Sequence, residues 1–481
     1  MSSTFLTPEE SAAPTPVSAP VSVSAGITTE MLQRLDVPGP RYTSYPTADR
    51  FVDGFGAADL EAALRRRADA RGRRPLSLYV HIPFCESVCY YCACNKVVTR
   101  DHGRAAAYLS ALEQEMALYA HALGERRSIS QLHFGGGTPT FLSDEELDRL
   151  MTSLRNAFDI APGAEMSIEV DPRTVTRQRL QHLAGLGFNR LSFGVQDFDE
   201  QVQRAVHRLQ PHDAVRDLVV AAREIGFESI NMDLIYGLPL QTPESFARTI
   251  AQVSALRPDR IALYAYAHLP QRFKPQRRIH TAELPPAGDR VEMLGMAISG
   301  FLDQGYDYIG MDHFALPTDA LAVAKRQGRL HRNFQGYSTQ PDCDLIGLGV
   351  SAIGEMGGCY SQNAKTLPEY YEALAAGRLP AVRGLNPDSD DRLRRQIIMS
   401  LMCQGSVDLD AIERQHSIDA HLYFFDELVR LQELAAKGLV ELKDGVVTVT
   451  RTGWFFVRAV AMVFDRHLNA ARDSERFSRI V

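Results

Sequence analysis

The stretch Ser77–Arg100, SLYVHIPFCESVCYYCACNKVVTR, sets the reading of this chain. Its opening residues, Ser77–Ile82, form a short β-rich run suited to a strand. The loop that follows carries Cys85, Cys89 and Cys92 in the spacing C-x3-C-x2-C, with Cys94 just beyond. Three thiolates on one short loop can hold three irons of a 4Fe-4S cluster and leave the fourth iron without a protein ligand, the open position that a reactive metal site requires. A zinc knuckle that recruits Cys94, or a chance grouping of buried cysteines, competes with that reading. Four thiolates within ten residues would strain a zinc tetrahedron. The remaining cysteines, 343, 359 and 403, are scattered and read as small buried hydrophobes.

Outward from this loop the chain alternates short apolar, β-rich runs with longer segments of helical spacing, the grammar of βαβ units. Candidate strands are Ser77–Ile82, Gln131–Phe134, Met166–Val170, Arg190–Val195, Ser229–Ile235 and Arg260–Tyr266. Between the first two, Leu109, Leu112, Met116 and Leu123 mark one face of a helix over Arg104–Gly124, which Gly124 caps. The runs read as mostly apolar, as strands buried on both faces should. The distinctive polar residues Cys85, Gly135, Glu169, Gln196 and Asp233 fall at or just after successive strand ends, where barrels collect their active sites. This favours a partial (β/α) TIM-like barrel of about six parallel strands over an open doubly wound sheet. Tyr306–Ile309 and Leu345–Val350 are expected to add edge strands.

The whole chain of 481 residues has room for more than this barrel. Residues 1–35 are expected to form a disordered tail, since their Pro, Ser, Ala and Val lack amphipathic period. After Asn386 the pattern turns helical with short links. Gly438–Thr450 then gives two alternating runs around Asp444-Gly445, a hairpin signal. The division expected is therefore a tail at 1–35, a barrel with an N-terminal covering segment at 36–385, and a small, mainly helical domain with a β-hairpin at 386–481. Helices before a hairpin also describe a winged helix. No concentrated basic face accompanies them, and 52 Lys and Arg against 59 Asp and Glu give a net charge of −7, so nucleic acid is not an expected partner. No apolar run approaches the roughly 18 residues of a membrane span. The first basic residue is Arg34, so neither a secretory signal nor a transit peptide is read, and the cytoplasm is the expected location.

The Tyr79–Arg100 block resembles the radical S-adenosylmethionine enzymes, and within them the family of oxygen-independent coproporphyrinogen III oxidases. The likeness runs on through PRYTSYPTA at Pro40–Ala48, HFGGGTPT at His133–Thr140, SIEVDPR at Ser167–Arg173, LSFGVQDF at Leu191–Phe198, NMDLIYGLP at Asn231–Pro239, YAHLP at Tyr266–Pro270 and LGVSAIG at Leu348–Gly354. Two positions depart from the family's usual pattern: Tyr91 stands where phenylalanine is common and Ala93 where glycine is common. Cys94 is retained, whereas the haem-chaperone branch typically lacks it, which favours an oxidase over a haem-binding chaperone.

The resemblance implies Cys85, Cys89 and Cys92 as cluster ligands and two S-adenosylmethionine molecules. It implies that Tyr79 lies near the sulfonium and that Gly136 and Glu169 contact the first molecule. Gly137, Thr138, Gln196, Arg208, Asp233 and the backbone of Ala267 would line the second, with Tyr91 and Ile353 beside the cofactors. Read from the residues alone, the glycine turn offers exposed amides to a ligand. Glu169, in a run suited to burial, needs a donor or cationic partner, a neighbouring arginine being the plain structural choice. By the same resemblance, coproporphyrinogen III loses carbon dioxide from two propionates to give protoporphyrinogen IX, and an unnamed donor supplies electrons; a monomer with no membrane partner is expected besides. Arg41, Arg272, Lys274 and Arg332 are candidates for the substrate carboxylates.

Overall fold

Six strands follow one another in chain order, all parallel: β1 (Leu76–Ile82), β2 (Ser128–Gly136), β3 (Asp159–Val170), β4 (Arg190–Gln196), β5 (Ser229–Tyr236) and β6 (Arg260–Ala265). The computed structural model describes residues 39–69, 75–124, 128–340 and 343–468, so the expected tail at 1–35 lies outside the described residues. Beyond β6 the sheet turns antiparallel through β8 (His313–Ala315) and β7 (Asp307–Gly310). Beyond β1 it continues through β9 (Asp344–Leu348), parallel to β1, and then antiparallel through β10 (Ile353–Met356), β11 (Cys359–Asn363) and β12 (Ala381–Leu385). The result is an open twelve-stranded sheet around a half-barrel. Leu345–Val350 was expected at an edge; it lies inside the sheet with three strands beyond it.

Helices cross back between the parallel strands and are locally encoded. Helix α1 (Gly103–Leu123) stops at Gly124, whose φ of +67° places it in the left-handed region glycine tolerates. The next helix, Asp144–Ala157, starts with a capping box in which Ser143 and Glu146 satisfy each other's amides.

The strands correct one expectation. Rather than burying apolar side chains on both faces, they alternate. Leu76, Leu78, Val80 and Ile82 of β1 join Leu109, Leu112 and Met116 of α1 in the outer core. The intervening residues turn inward and bind their neighbours: Ser77 to Gln131 (3.1 Å), Gln131 to Glu165 (3.1 Å), His133 to Ser167 (2.6 Å) and Ser192 to Asp233 (3.2 Å). A barrel packed solid needs apolar layers inside; a polar inner wall fits one that holds ligands.

Two segments cross the open side. The hairpin His331–Asn333/Gly336–Ser338 sets Tyr337 edge-on to His313 of β8 (5.8 Å) and Phe334 edge-on to Tyr360 of β11 (5.9 Å). The N-terminal segment places Arg41 over the ring of Tyr264 on β6 (5.3 Å) and stacks Phe51 on Tyr360 (5.7 Å).

The C-terminal region combines a helix over Ser389–Gln404 with a small antiparallel sheet of β13 (Ser406–Asp408), β15 (Val446–Val449) and β14 (Val440–Lys443), in that order. The expected hairpin forms, Asp444 and Gly445 both taking positive φ as a type I′ turn requires. Its third strand, β13, is too short to leave a periodic signal. This region packs on the N-terminal segment and on β7: Tyr42 donates to Asp465 (3.0 Å) and the Trp454 indole to the Ile309 carbonyl (3.0 Å). Among the described residues no helix is long and apolar enough to cross a membrane.

Candidate active site

The cysteine loop leaves β1 and is closed at its neck by a two-residue parallel pairing, Phe84–Cys85 with Val97–Val98. The Thr99 amide donates to the Cys85 carbonyl (2.9 Å). Farther out, the Tyr90 amide donates to Val206 (3.0 Å), and the Tyr90 ring stacks on His207 (5.1 Å). The thiols therefore ride on a braced loop. Cys85 and Cys89 are buried, Cys92 is half-buried and Cys94 is exposed.

Each of the three thiols meets a different environment. Thr138 donates to the Cys85 sulfur (3.4 Å), while burial pushes that thiol up to about 11. Arg208 (3.5 Å) and Arg173 (3.7 Å) both reach the Cys89 sulfur. The Cys92 thiol is held down, to about 6, by a hydrogen bond from Cys94 that outweighs burial, with the Lys96 charge assisting. Cations around a thiolate trio offset the negative charge of a cluster with three such ligands. Among the described residues, no three His, Cys, Asp or Glu side chains converge as they would around a single ion. Cubane ligands sit on separate irons and stand apart, so this donor set fits a cluster better than a tetrahedral zinc.

The glycine turn after β2 brings that strand against the loop. A Cβ on Gly135 would lie 2.8 Å from the Glu169 carboxylate, on Gly136 2.6 Å from the His81 ring, and on Gly137 2.7 Å from the Pro83 carbonyl. The expectation of free amides does not hold: Gly136 donates to Glu169 (3.1 Å), Gly137 to Ile82 (2.8 Å) and Thr138 to Phe84 (2.8 Å). These glycines are needed because chain and carboxylate pack where side chains would stand. Glu169 is partnered by the Gly136 amide and His133 (3.4 Å), not by an arginine. Burial raises its carboxyl, but His133 and the amide outweigh this and hold it below the ordinary value.

Tyr79 stacks on His133 (5.9 Å, 20°) beside this carboxylate. His81 Nε2 faces the Asn95 carbonyl (3.0 Å), so it carries the proton, and Nδ1 accepts from the Tyr79 hydroxyl (3.0 Å). Asp233 accepts from Ser192 (3.2 Å) and Asn231 (2.9 Å), and burial together with the Glu169 charge pushes it up to about 6. Gln196 takes φ +68° at a break in register. A Cβ on Gly194 would lie 2.9 Å from the Gln196 amide and 3.0 Å from Arg208, so those two side chains sit together. Ile353 opens β10 beside Gly347, the β9 partner of Tyr79.

Sequence reading missed several supports. Asp171 binds Arg208 (3.1 Å) and Arg173 (2.7 Å), holding both cations at Cys89; the two residues lay within SIEVDPR, but nothing in the pattern set them apart. Buried Gln276 gave no signal at all. Its amide donates to the carbonyls of Tyr91 (3.0 Å) and Ala267 (3.1 Å), tying the cysteine loop to the turn after β6. The four carboxylate candidates separate: Arg41 and Arg332 meet on the open side, whereas Arg272 and Lys274 are exposed on the loop after β6.

Comparison with known proteins accords with this geometry. A model described as the radical SAM superfamily matches residues 79–253, and one described as the HemN C-terminal domain matches residues 388–456. Oxygen-independent coproporphyrinogen III oxidase of Pseudomonas aeruginosa is 48% identical over 454 residues, covering 94% of this chain and 98% of its own. The enzyme of the same name from Escherichia coli is 48% identical over 451 residues, with the same coverage. The chain belongs to the family of oxygen-independent coproporphyrinogen III oxidases. A solved structure of the family, coproporphyrinogen III oxidase (HemN) from Escherichia coli, described as a radical SAM enzyme, superposes with a TM-score of 0.85 over 89% of this chain and 98% of that one. Membership in this oxidase family brings with it a 4Fe-4S cluster and S-adenosylmethionine.

Proposed function

We propose that this chain converts coproporphyrinogen III to protoporphyrinogen IX in haem biosynthesis by radical oxidative decarboxylation. The observation that carries this is the braced C-x3-C-x2-C loop set against Glu169, Tyr79 and Asp233 on a polar inner wall, in a chain of this family. Cys85, Cys89 and Cys92 hold the cluster, and two S-adenosylmethionine molecules share the cavity. Held by these residues, the cluster and S-adenosylmethionine would supply one-electron radical chemistry for hydrogen removal.

The chain's own residues position and insulate. Thr138, Arg173 and Arg208 stabilise thiolates at Cys85 and Cys89. Glu169, held ionised by His133, takes the cationic amino group of the first S-adenosylmethionine beside Gly136, with Tyr79 against the sulfonium. Gln196, Arg208, Asp233, Gly137, Thr138 and the Ala267 backbone line the second, and Tyr91 and Ile353 pack beside them. Each of two propionates loses a β-hydrogen atom, carbon dioxide and one electron, the electron passing to a one-electron acceptor separate from this chain, to become vinyl; two such events give a paired cofactor site its rationale. The hairpin His331–Ser338 and the N-terminal segment keep water from the open side.

The same reading takes residues 36–385 as the catalytic barrel and 386–481 as an accessory domain. The protein works as a cytoplasmic monomer with a separate electron donor and no nucleic acid. The test is anaerobic reconstitution with iron and sulfide, reduction, and chromatography with S-adenosylmethionine and coproporphyrinogen III. Protoporphyrinogen IX with 5'-deoxyadenosine is expected. Tight haem binding without release of carbon dioxide would point to a carrier, and 5'-deoxyadenosine alone would reject the substrate.

A further inference from the structure

Arg41 and Arg332 come from segments 291 positions apart, yet the Arg332 Nε donates to the Arg41 carbonyl (3.2 Å). Both segments cross the open side of the half-barrel. Arg332 is buried, with 7% of its surface exposed; its guanidinium lies over the Tyr337 ring (4.6 Å), and its buried Nη1 has no hydrogen-bond partner among the described residues. Arg41 lies over Tyr264 (5.3 Å), a ring whose electrostatic neighbours include Asp233 and Glu169, so the pair faces the same interior as the cofactor residues.

Cations gather at this place. Arg41, Arg332 and Arg458 all act on one carboxylate, Asp312, which Arg41 approaches at 3.8 Å. His313 beside them is kept neutral, held down to about 3 by burial and by the Arg332 charge, and so adds no charge of its own. Arg332 also borders a cavity with the neutral donors Gln131, Asn333 and Ser338; its acid, Glu355, is already paired with Arg395 (2.9 Å). A buried guanidinium with an idle N–H is costly unless an anion completes it, and a planar fork matches a carboxylate.

We propose that Arg41 and Arg332 form a carboxylate-binding site for a propionate of the tetrapyrrole, with the N-terminal segment and the hairpin as its two jaws. This rests on the substrate reading above. Arg272 and Lys274 are not part of it.

The test uses the full-length, reconstituted protein and equilibrium binding, followed by fluorescence, of coproporphyrin III and of its tetramethyl ester, which lacks carboxylates. Wild type is expected to prefer the acid. Arg332→Gln and Arg41→Gln should each weaken the acid at least tenfold, about 1.4 kcal/mol, and leave the ester unchanged. The acid-to-ester ratio within one preparation cancels any loss of folded protein, and Arg332→Lys, which keeps the charge, should recover part of it. A ratio unchanged in both glutamine variants overturns the site while leaving the substrate reading intact. A wild type that binds neither compound overturns the substrate reading and this site together.

Discussion

Arg208 meets the Asp171 carboxylate at 3.1 Å and the Cys89 sulfur at 3.5 Å, so one buried guanidinium joins an acid from the end of β3 to the cysteine loop. Asp171 also binds Arg173 at 2.7 Å, and the loop's electrostatics thus depend on an acid that touches no cysteine.

Asp171→Asn should leave two cations short of their partner and cost the apo chain about 3 kcal/mol, the usual scale for breaking a buried pair. Although burial raises the Asp171 carboxyl, the Arg173 hydrogen bond and the Arg208 charge hold it below its ordinary 3.8. A lowered carboxyl stabilises the fold above its unfolded value and loses that contribution as pH falls. Urea titrations at pH 7 and pH 3 should show the gap between wild type and variant closing at the lower pH; a constant gap would sink the idea.

Glu115 predicts the opposite slope. This fully buried side chain of α1 accepts from Gly349 (2.7 Å), Asn363 (2.7 Å) and Tyr370 (2.6 Å), yet burial pushes it up to about 7 from 4.5. A raised carboxyl stabilises fully below its unfolded value and progressively less as pH rises to the folded one. Wild type should therefore lose on the order of 3 kcal/mol relative to Glu115→Gln between about pH 4.5 and 7. Differential thermal melts across that window check it.

Gly135→Ala places a methyl group 2.8 Å from the Glu169 carboxylate. Since β2 is otherwise intact, S-adenosylmethionine affinity measured by equilibrium dialysis should fall about tenfold or more, roughly 1.4 kcal/mol, with the melting temperature nearly unmoved. Retained affinity would remove Glu169 from the cofactor site.

Gln276→Leu strips one donor from two carbonyls, at about 1–3 kcal/mol for each that stays buried and unpaired. Hydrogen exchange should speed up in residues 88–96 and 266–270 together. Acceleration in only one of the two would mean that Gln276 does not couple them.

The sequence was legible wherever local chemistry decides. Turn residues, helix caps and β-rich runs located five of the six parallel strands, α1 and the Asp444-Gly445 hairpin within a few residues, because each is specified by neighbours in the chain; β3 begins at Asp159, well before the expected Met166. The spacing of Cys85, Cys89 and Cys92 likewise marked out the loop that follows β1. Misjudging the strands as apolar on both faces had a physical cause: isolated serines, histidines and acids look like interruptions until the sheet curves and gathers them on one side.

Tertiary structure alone decided the partnerships. Which acid holds Arg208, which amide serves Glu169, and that Arg41 and Arg332 stand together on the open side all depend on approaches between residues tens to hundreds of positions apart. No periodicity encodes such approaches, because they follow from how the whole sheet curves and from which segments cross its gap. Sequence supplied the groups able to do this chemistry; three-dimensional packing chose their neighbours, and with them their charge.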